Sequence, residues 1–160
     1  MSVLVYTDSE NGTFKKTAFE VASYAKGIAD MMGTTVTAIA IHGGDAVTLG
    51  AYGVDKVLNV SDTQLEAFNA AAYAKAIVQA AKAESSQVIV VSQSADAKYI
   101  APLLATQLEA GYASNVVALP ESTAPFKVKR TAFTNKAFNF SEIATEVKIV
   151  GLGKNAYGLK

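Results

Sequence analysis

The sequence contains no cysteine. That removes disulfides, thiolate metal sites and a cysteine nucleophile together, and it fits a reducing compartment. Histidine is nearly as scarce. His42 stands alone, so a site with two histidine ligands is excluded and no metal centre is expected. No stretch approaches the ~20 apolar residues needed to cross a bilayer, and no membrane insertion is expected. No basic segment precedes the first apolar run, so the chain is expected to begin directly in a strand and not in a presequence. Phosphate-binding patterns are missing too. Thr7 to Gly12 holds one glycine and Gly43-Gly44 lacks a third, so neither forms the G-x-G-x-x-G turn that lets backbone approach a pyrophosphate. G-K-[ST] occurs nowhere. No spacing pairs a nucleophile with a base, so no catalytic residue is expected.

What remains is a chain of 160 residues, 51% hydrophobic and 18% charged. Such a composition folds as one compact domain. Net charge is zero but unevenly placed. Residues 1–120 carry 7 lysines against 11 acidic residues, net −4, and residues 121–160 carry 7 basic against 3 acidic, net +4. The basic share gathers around Lys127, Lys129, Arg130 and Lys136. A nucleic-acid face would be more basic overall, so no nucleic acid is expected. Two readings stay open: a surface that meets an acidic protein partner, with Lys127, Lys129 and Arg130 at the interface, or a solvated strand face.

Hydrophobic periodicity gives the elements. Val3-Leu4-Val5-Tyr6 reads as a buried strand. Asn11-Gly12 reads as a turn, with Thr13 as the cap of a helix whose apolar stripe is Phe14, Ala18, Val21, Ala25, Ile28 and Met32 and whose stop is Gly33. Val36 to Ile41 is a second strand, Asp45 to Tyr52 a short helix, and Lys56 to Val60 a third strand. Leu65, Phe68, Ala72, Ile77 and Ala80 mark an alanine-rich helix, and Val88 to Val91 the fourth strand. Ile100, Leu103, Leu104 and Leu108 mark another helix, stopped by Gly111, with Pro102 in its first turn or at a kink. Beyond residue 112 the pattern changes. Val116 to Leu119 is a strand, and Phe126 to Phe133 alternates as a half-exposed antiparallel strand. Asn135-Lys136 is a turn, and Ala137 to Ile143 and Val147 to Leu152 are further strands. The expected fold is therefore three-layer α/β, a mainly parallel sheet with helices on both faces, ending in an antiparallel extension. Residues 1–150 form the single domain, and 151–160 read as the start of a linker.

In such a sheet, ligands lie beyond the carboxyl ends of the strands where strand order reverses. That rim comprises Tyr6, Thr7, Asp8, Ser92, Gln93, Ser94 and Asp96. Their hydroxyl, amide and carboxyl groups suit a nucleotide. Equally, Ser94 and Asp96 suit the capping of the following helix, which is favoured because no glycine-rich loop lies beside them. His42 reads as a structural or solvent-facing residue. Tyr99, Tyr112 and Phe133 lack regular spacing, and core or interface packing explains them better than base stacking.

The order of these segments resembles that of electron-transfer flavoprotein α subunits. Val3-Leu4-Val5-Tyr6, then Asn11-Gly12 and a helix starting near Lys15, is similar to that family's opening. Gly53-Val54-Asp55-Lys56-Val57-Leu58 resembles its G-A-D-K-V-hydrophobic lead into the third strand. Ala97 to Ala105 resembles its proline-containing helix, with Ala97 in place of the usual glycine and Leu103 in place of a basic residue. Ala113-Ser114-Asn115-Val116 is similar to the segment that follows, with Asn115 where aspartate is common. Arg130 to Phe138 resembles its later strand and turn. The resemblance runs through nearly the whole chain. It implies an adenine-nucleotide α-hydrolase-like domain that pairs with a β subunit, in an electron carrier between acyl-CoA and other dehydrogenases and a quinone reductase, as in fatty-acid oxidation. It places FAD mainly in a second, C-terminal domain that this chain lacks, and AMP in the β subunit, so no flavin-binding residue is expected here. Without a presequence, it implies a bacterial-type cytoplasmic protein, with eukaryotic relatives in the mitochondrial matrix. The runner-up is a stand-alone nucleotide-binding protein of the universal-stress type. The absence of glycine from Ser92 to Lys98 counts against it.

Overall fold

The computed structural model describes residues 2–10, 12–61, 65, 67–132, 137–153 and 157. Strand β1 (Ser2–Tyr6) leads through a small hairpin, β2 (Ser9–Glu10) and β3 (Thr13–Phe14), into helix α1 (Lys16–Met32). There follow β4 (Thr35–Ile41), α2 (Ala46–Gly50), β5 (Lys56–Val60), α3 (Ala70–Ala83), β6 (Val88–Ser92) and α4 (Ala95–Leu108). The last third is β7 (Gly111–Val116), β8 (Ser122–Thr123), β9 (Phe126–Ala132), β10 (Ala137–Ile143) and β11 (Lys148–Leu152).

The main sheet runs β10-β9-β7-β11-β6-β1-β4-β5. From β7 to β5 every pair along this order is parallel, and β9 is antiparallel to both β7 and β10. The continuous apolar runs of β1, β4 and β6 are buried on both faces, as a covered parallel sheet requires. One layer packs Val3, Val5, Val88 and Val90 beneath α1, together with Leu49 of α2 and Phe126, Val128 and Ile143 of the antiparallel strands. The other packs Leu4, Ile39, Ile89, Val91 and Ile149 beneath α3 and α4. A fully buried aliphatic side chain contributes roughly 1.5–3 kcal/mol, so these two layers hold the fold. The three-layer α/β architecture with an antiparallel C-terminal part is as expected.

Several local expectations are corrected. Thr13 does not cap α1. It pairs with Glu10 in the hairpin, and α1 opens at Lys15 with no side-chain cap. The hairpin forms because Gly12 adopts φ +75°, which turns the chain before a helix can start; Asn11 lies outside the described residues. Leu65 and Phe68 precede α3, which starts later because Asn69 caps it by accepting a hydrogen bond from the Ala72 N–H at 3.0 Å. Pro102 sits well inside α4 and not in its first turn. Gly111 does not stop α4. Glu109 does, in the left-handed region at φ +51°, and Gly111 opens β7 instead. The strand expected over Val116 to Leu119 lies earlier, over Gly111 to Val116, because the chain leaves the sheet after Val116 for a loop whose Ala118 carbonyl accepts the Tyr24 hydroxyl at 2.7 Å. The antiparallel extension is there in β8, β9 and β10, but the final strand does not belong to it. After the β9–β10 hairpin the chain returns, and β11 enters parallel between β6 and β7. There Ile149, Val150 and Leu152 are buried, as a strand covered on both faces requires. The Asn135-Lys136 turn and Phe133 lie outside the described residues. Tyr99 is not a core residue, being 68% exposed.

Candidate functional site

Strand order reverses at β1. The chain goes from β1 to β4 on one side, while β6 lies on the other. Two loops therefore meet at the carboxyl ends of β1 and β6. Thr7 is tied to β4, its N–H and its hydroxyl both donating to the Ile39 carbonyl at 3.1 Å. That anchor fixes Asp8, whose backbone carbonyl accepts the Lys15 N–H at 3.0 Å and so sets the start of α1. Asp8 is only 4% exposed. Its Oδ2 accepts the Ser92 hydroxyl at 2.7 Å and the Thr17 hydroxyl at 3.5 Å, while its Oδ1 is buried with no hydrogen-bond partner. Burial drives the Asp8 carboxyl above the usual carboxylate range; the hydroxyls of Ser92 and Ser94 and the Lys15 ammonium oppose that, and Asp96 adds to it.

On the β6 side, Ser92 Oγ also accepts the Ser94 N–H at 3.2 Å. Ser94 caps α4, accepting the Ala97 N–H at 3.2 Å. Asp96 follows in the first turn, where a carboxylate is favoured by the helix dipole. Tyr6 lies buried at the end of β1, and burial, then the nearby Asp8, pushes its phenol far above the ordinary tyrosine value. The candidate rim residues Tyr6, Asp8, Ser92, Ser94 and Asp96 thus gather at one place. A cavity of about 430 Å³ opens beside them, between Lys15, Lys16, Thr17 and Glu20 of α1, the Ser92–Ser94 loop, and Leu152 of β11.

Sequence reasoning missed the α1 contribution. Placing the helix start at Thr13 left Lys15 and Thr17 with no reason to face Asp8. It also missed a second contact. The Gln93 amide donates to the Tyr112 hydroxyl at 3.0 Å and lies over Gly151, where a Cβ would collide with it and would come within 2.9 Å of the Tyr112 oxygen. No local sequence signal joins a residue of the loop after β6 to residues of β7 and β11. This crevice does not fit a dinucleotide. Its loops carry no glycine pair, and Gln93 fills the space above Gly151 of β11.

His42 lies half-buried after β4 at φ +50°, its N–H donating to the Val60 carbonyl at 2.8 Å. It is not part of the crevice. Lys127, Lys129 and Arg130 lie away from it on β9, and alternation divides them. Lys127 and Lys129 are on the face opposite Phe126 and Val128. Arg130 shares the Val128 side, where its guanidinium donates to the Ser114 carbonyl at 2.7 Å, the Ser114 hydroxyl at 3.0 Å and the Ser141 hydroxyl at 3.2 Å. Among the described residues, no group of acidic and histidine side chains could hold a metal, and no helix is long and apolar enough to cross a membrane.

Fold and crevice define a doubly wound α/β domain whose strand-end residues are tied to one another by hydrogen bonds beside an open cavity. The sequence pattern of the electron transfer flavoprotein domain matches residues 3–159, and the chain belongs to that family of electron-carrying flavoproteins. It is similar to the electron transfer flavoprotein subunit alpha of Megasphaera elsdenii, at 31% identity over 121 residues, 73% of this chain and 36% of that protein. The subunit alpha of Syntrophomonas wolfei is 24% identical over 142 residues, 89% of this chain and 44% of that protein. The acryloyl-CoA reductase electron transfer subunit beta of Anaerotignum propionicum is 27% identical over 112 residues, 68% of this chain and 30% of that protein. The chain thus spans less than half the length of each of these relatives.

Proposed function

We propose that this chain is the N-terminal domain of an electron-transfer flavoprotein α subunit, a scaffold that pairs with a β subunit while FAD is held by another domain of the full-length protein. The single observation that carries this reading is the family match across residues 3–159, with relatives named as alpha subunits. A crevice that does not suit a dinucleotide supports placing the flavin elsewhere. The linker to that domain, expected from the sequence over 151–160, would then begin after β11, which holds Gly151 and Leu152. The assembled carrier would take electrons from acyl-CoA and other dehydrogenases and pass them to a quinone reductase, in the cytoplasm of a bacterial cell.

The surface proposed for the partner is the Lys127 and Lys129 face of β9. Arg130 braces β7, β9 and β10 from within and contributes to pairing only by shaping them. The reading is tested by capturing an electron-transfer flavoprotein β subunit on the immobilised chain at low salt. Association is expected, and it should weaken when Lys127→Glu and Lys129→Glu are combined, because rim charges steer encounter. The purified chain should show no flavin absorbance. Failure of the β subunit to bind, or saturable micromolar ATP binding by the chain alone, would turn the assignment towards the nucleotide-binding alternative.

A further inference from the structure

The Asp8 carboxyl group is the joint of four elements. It ends β1, bonds Ser92 at the end of β6, touches Thr17 in the first turn of α1, and lies beside the Ser94 cap of α4. One of its oxygens has no partner and no contact with solvent. A neutral carboxyl group tolerates that position. An ionised one does not, because the Ser92 and Thr17 hydroxyls reach only Oδ2 and leave a buried, charged Oδ1 without a hydrogen bond, so the group takes up a proton or draws water to itself. Water has a short route. Ser92, Ser94 and Thr17 separate Asp8 from the cavity of about 430 Å³, and all three line it. We infer that Asp8 is a proton-operated latch: protonated, it holds the β1–α1 and β6–α4 junctions shut, and release of its proton to solvent opens the crevice between them.

The surrounding charges set the direction. From α1, Lys15 favours the ionised form; from α4, Asp96 opposes it. Glu20 and Lys16 of α1 also line the cavity. Tyr6 of β1 and Tyr73 of α3 are held neutral, both phenols being raised first by burial. Burial outweighs Lys15, so the closed state keeps its proton above the usual carboxylate range. The latch is a property of this chain alone and does not depend on subunit pairing.

Opening that releases one proton becomes about tenfold more favourable per pH unit between the ordinary aspartate value, about 3.9, and the closed-state midpoint, and then levels off. Hydrogen exchange by mass spectrometry on the full chain, from pH 4 to 8.5 and divided by intrinsic exchange rates, reads this directly. Peptides spanning residues 15–20 and 92–98 should gain exchange with that slope, while the central strands β1 and β4 stay protected. Asp8→Asn, which keeps the shape without the titration, should flatten the response. A flat profile in the unmodified chain, or an identical slope in Asp8→Asn, would overturn the latch. Should Asp8→Asn not fold, carboxyl-carbon NMR of Asp8 in the unmodified chain decides instead. Its titration midpoint must coincide with the levelling of exchange, and a midpoint near 3.9 would refute the proposal.

Discussion

Glu84 ties the amino-terminal ends of three strands together. Its carboxylate accepts Lys56 Nζ at 2.8 Å, the Thr37 hydroxyl at 3.1 Å and the Ser2 hydroxyl at 3.5 Å. The hydrogen bond from Lys56, followed by that from Thr37, holds this carboxyl below its ordinary value. A depressed carboxyl contributes stability above the unfolded-state value, and the contribution disappears as pH falls through the folded-state value. Glu84→Gln should therefore lower the urea midpoint at pH 7 and have progressively less effect towards pH 3. An equal loss at both ends would mean that shape, not charge, matters there. Gly151 makes a different kind of demand. Gly151→Ala should displace Gln93 from Tyr112 and cost about 1–3 kcal/mol in chemical denaturation, the usual price of overpacking and a lost buried bond. Little of this was readable in advance. Asp8, Ser92 and Ser94 stood out because the ends of β1 and β6 follow from apolar runs. Gln93, Tyr112 and Gly151 meet only because β11 enters between β6 and β7, and no local pattern announces that.

Among the elements, α4 is the least ideal helix. Pro102 denies the Lys98 carbonyl its partner four residues on, and Glu109 ends the helix in a conformation that glycine adopts more easily. Pro102 is exposed. Pro102→Ala should stabilise the chain by about 1–2 kcal/mol, a helix gain of ~3 less the ~1 lost through a freer unfolded chain. Glu109→Gly should add roughly 0.5–1 kcal/mol. Thermal melts of the two variants check both, and a loss in either would show that the residue makes contacts worth more than its strain. The parallel elements were legible because their strands are unbroken apolar runs and their helices carry regular stripes. Boundaries failed where backbone chemistry overrode periodicity: the Gly12 turn delayed α1, Asn69 delayed α3, and Glu109 took the stop that Gly111 seemed to offer.

For the molecule as a whole, β11 is the keystone. It bonds β6 over Lys148 to Leu152 and bonds β7 on its other side. Without it, β7, β9 and β10 would have no hydrogen-bonded route to the rest of the main sheet. A chain ending at Glu146 should therefore lose cooperative unfolding altogether, seen as the absence of a sigmoidal urea transition by circular dichroism. A retained transition would show that the remaining strands stand alone. The α/β class was visible from the alternation of elements, but the position of β11 was not. Its apolar run reads equally well at an edge or in the centre, and only the lack of another buried slot decides between them.

That placement has a consequence for biosynthesis. A ribosome delivers both flanking blocks of strands ahead of the segment that joins them, β6 long before it and β10 just before. The nascent domain must wait, with the raw edges of β6 and β7 exposed, until β11 has left the exit tunnel. Pairing across so long a stretch of chain is slow and prone to misassociation, so this domain needs a chaperone most in the interval before β11 emerges.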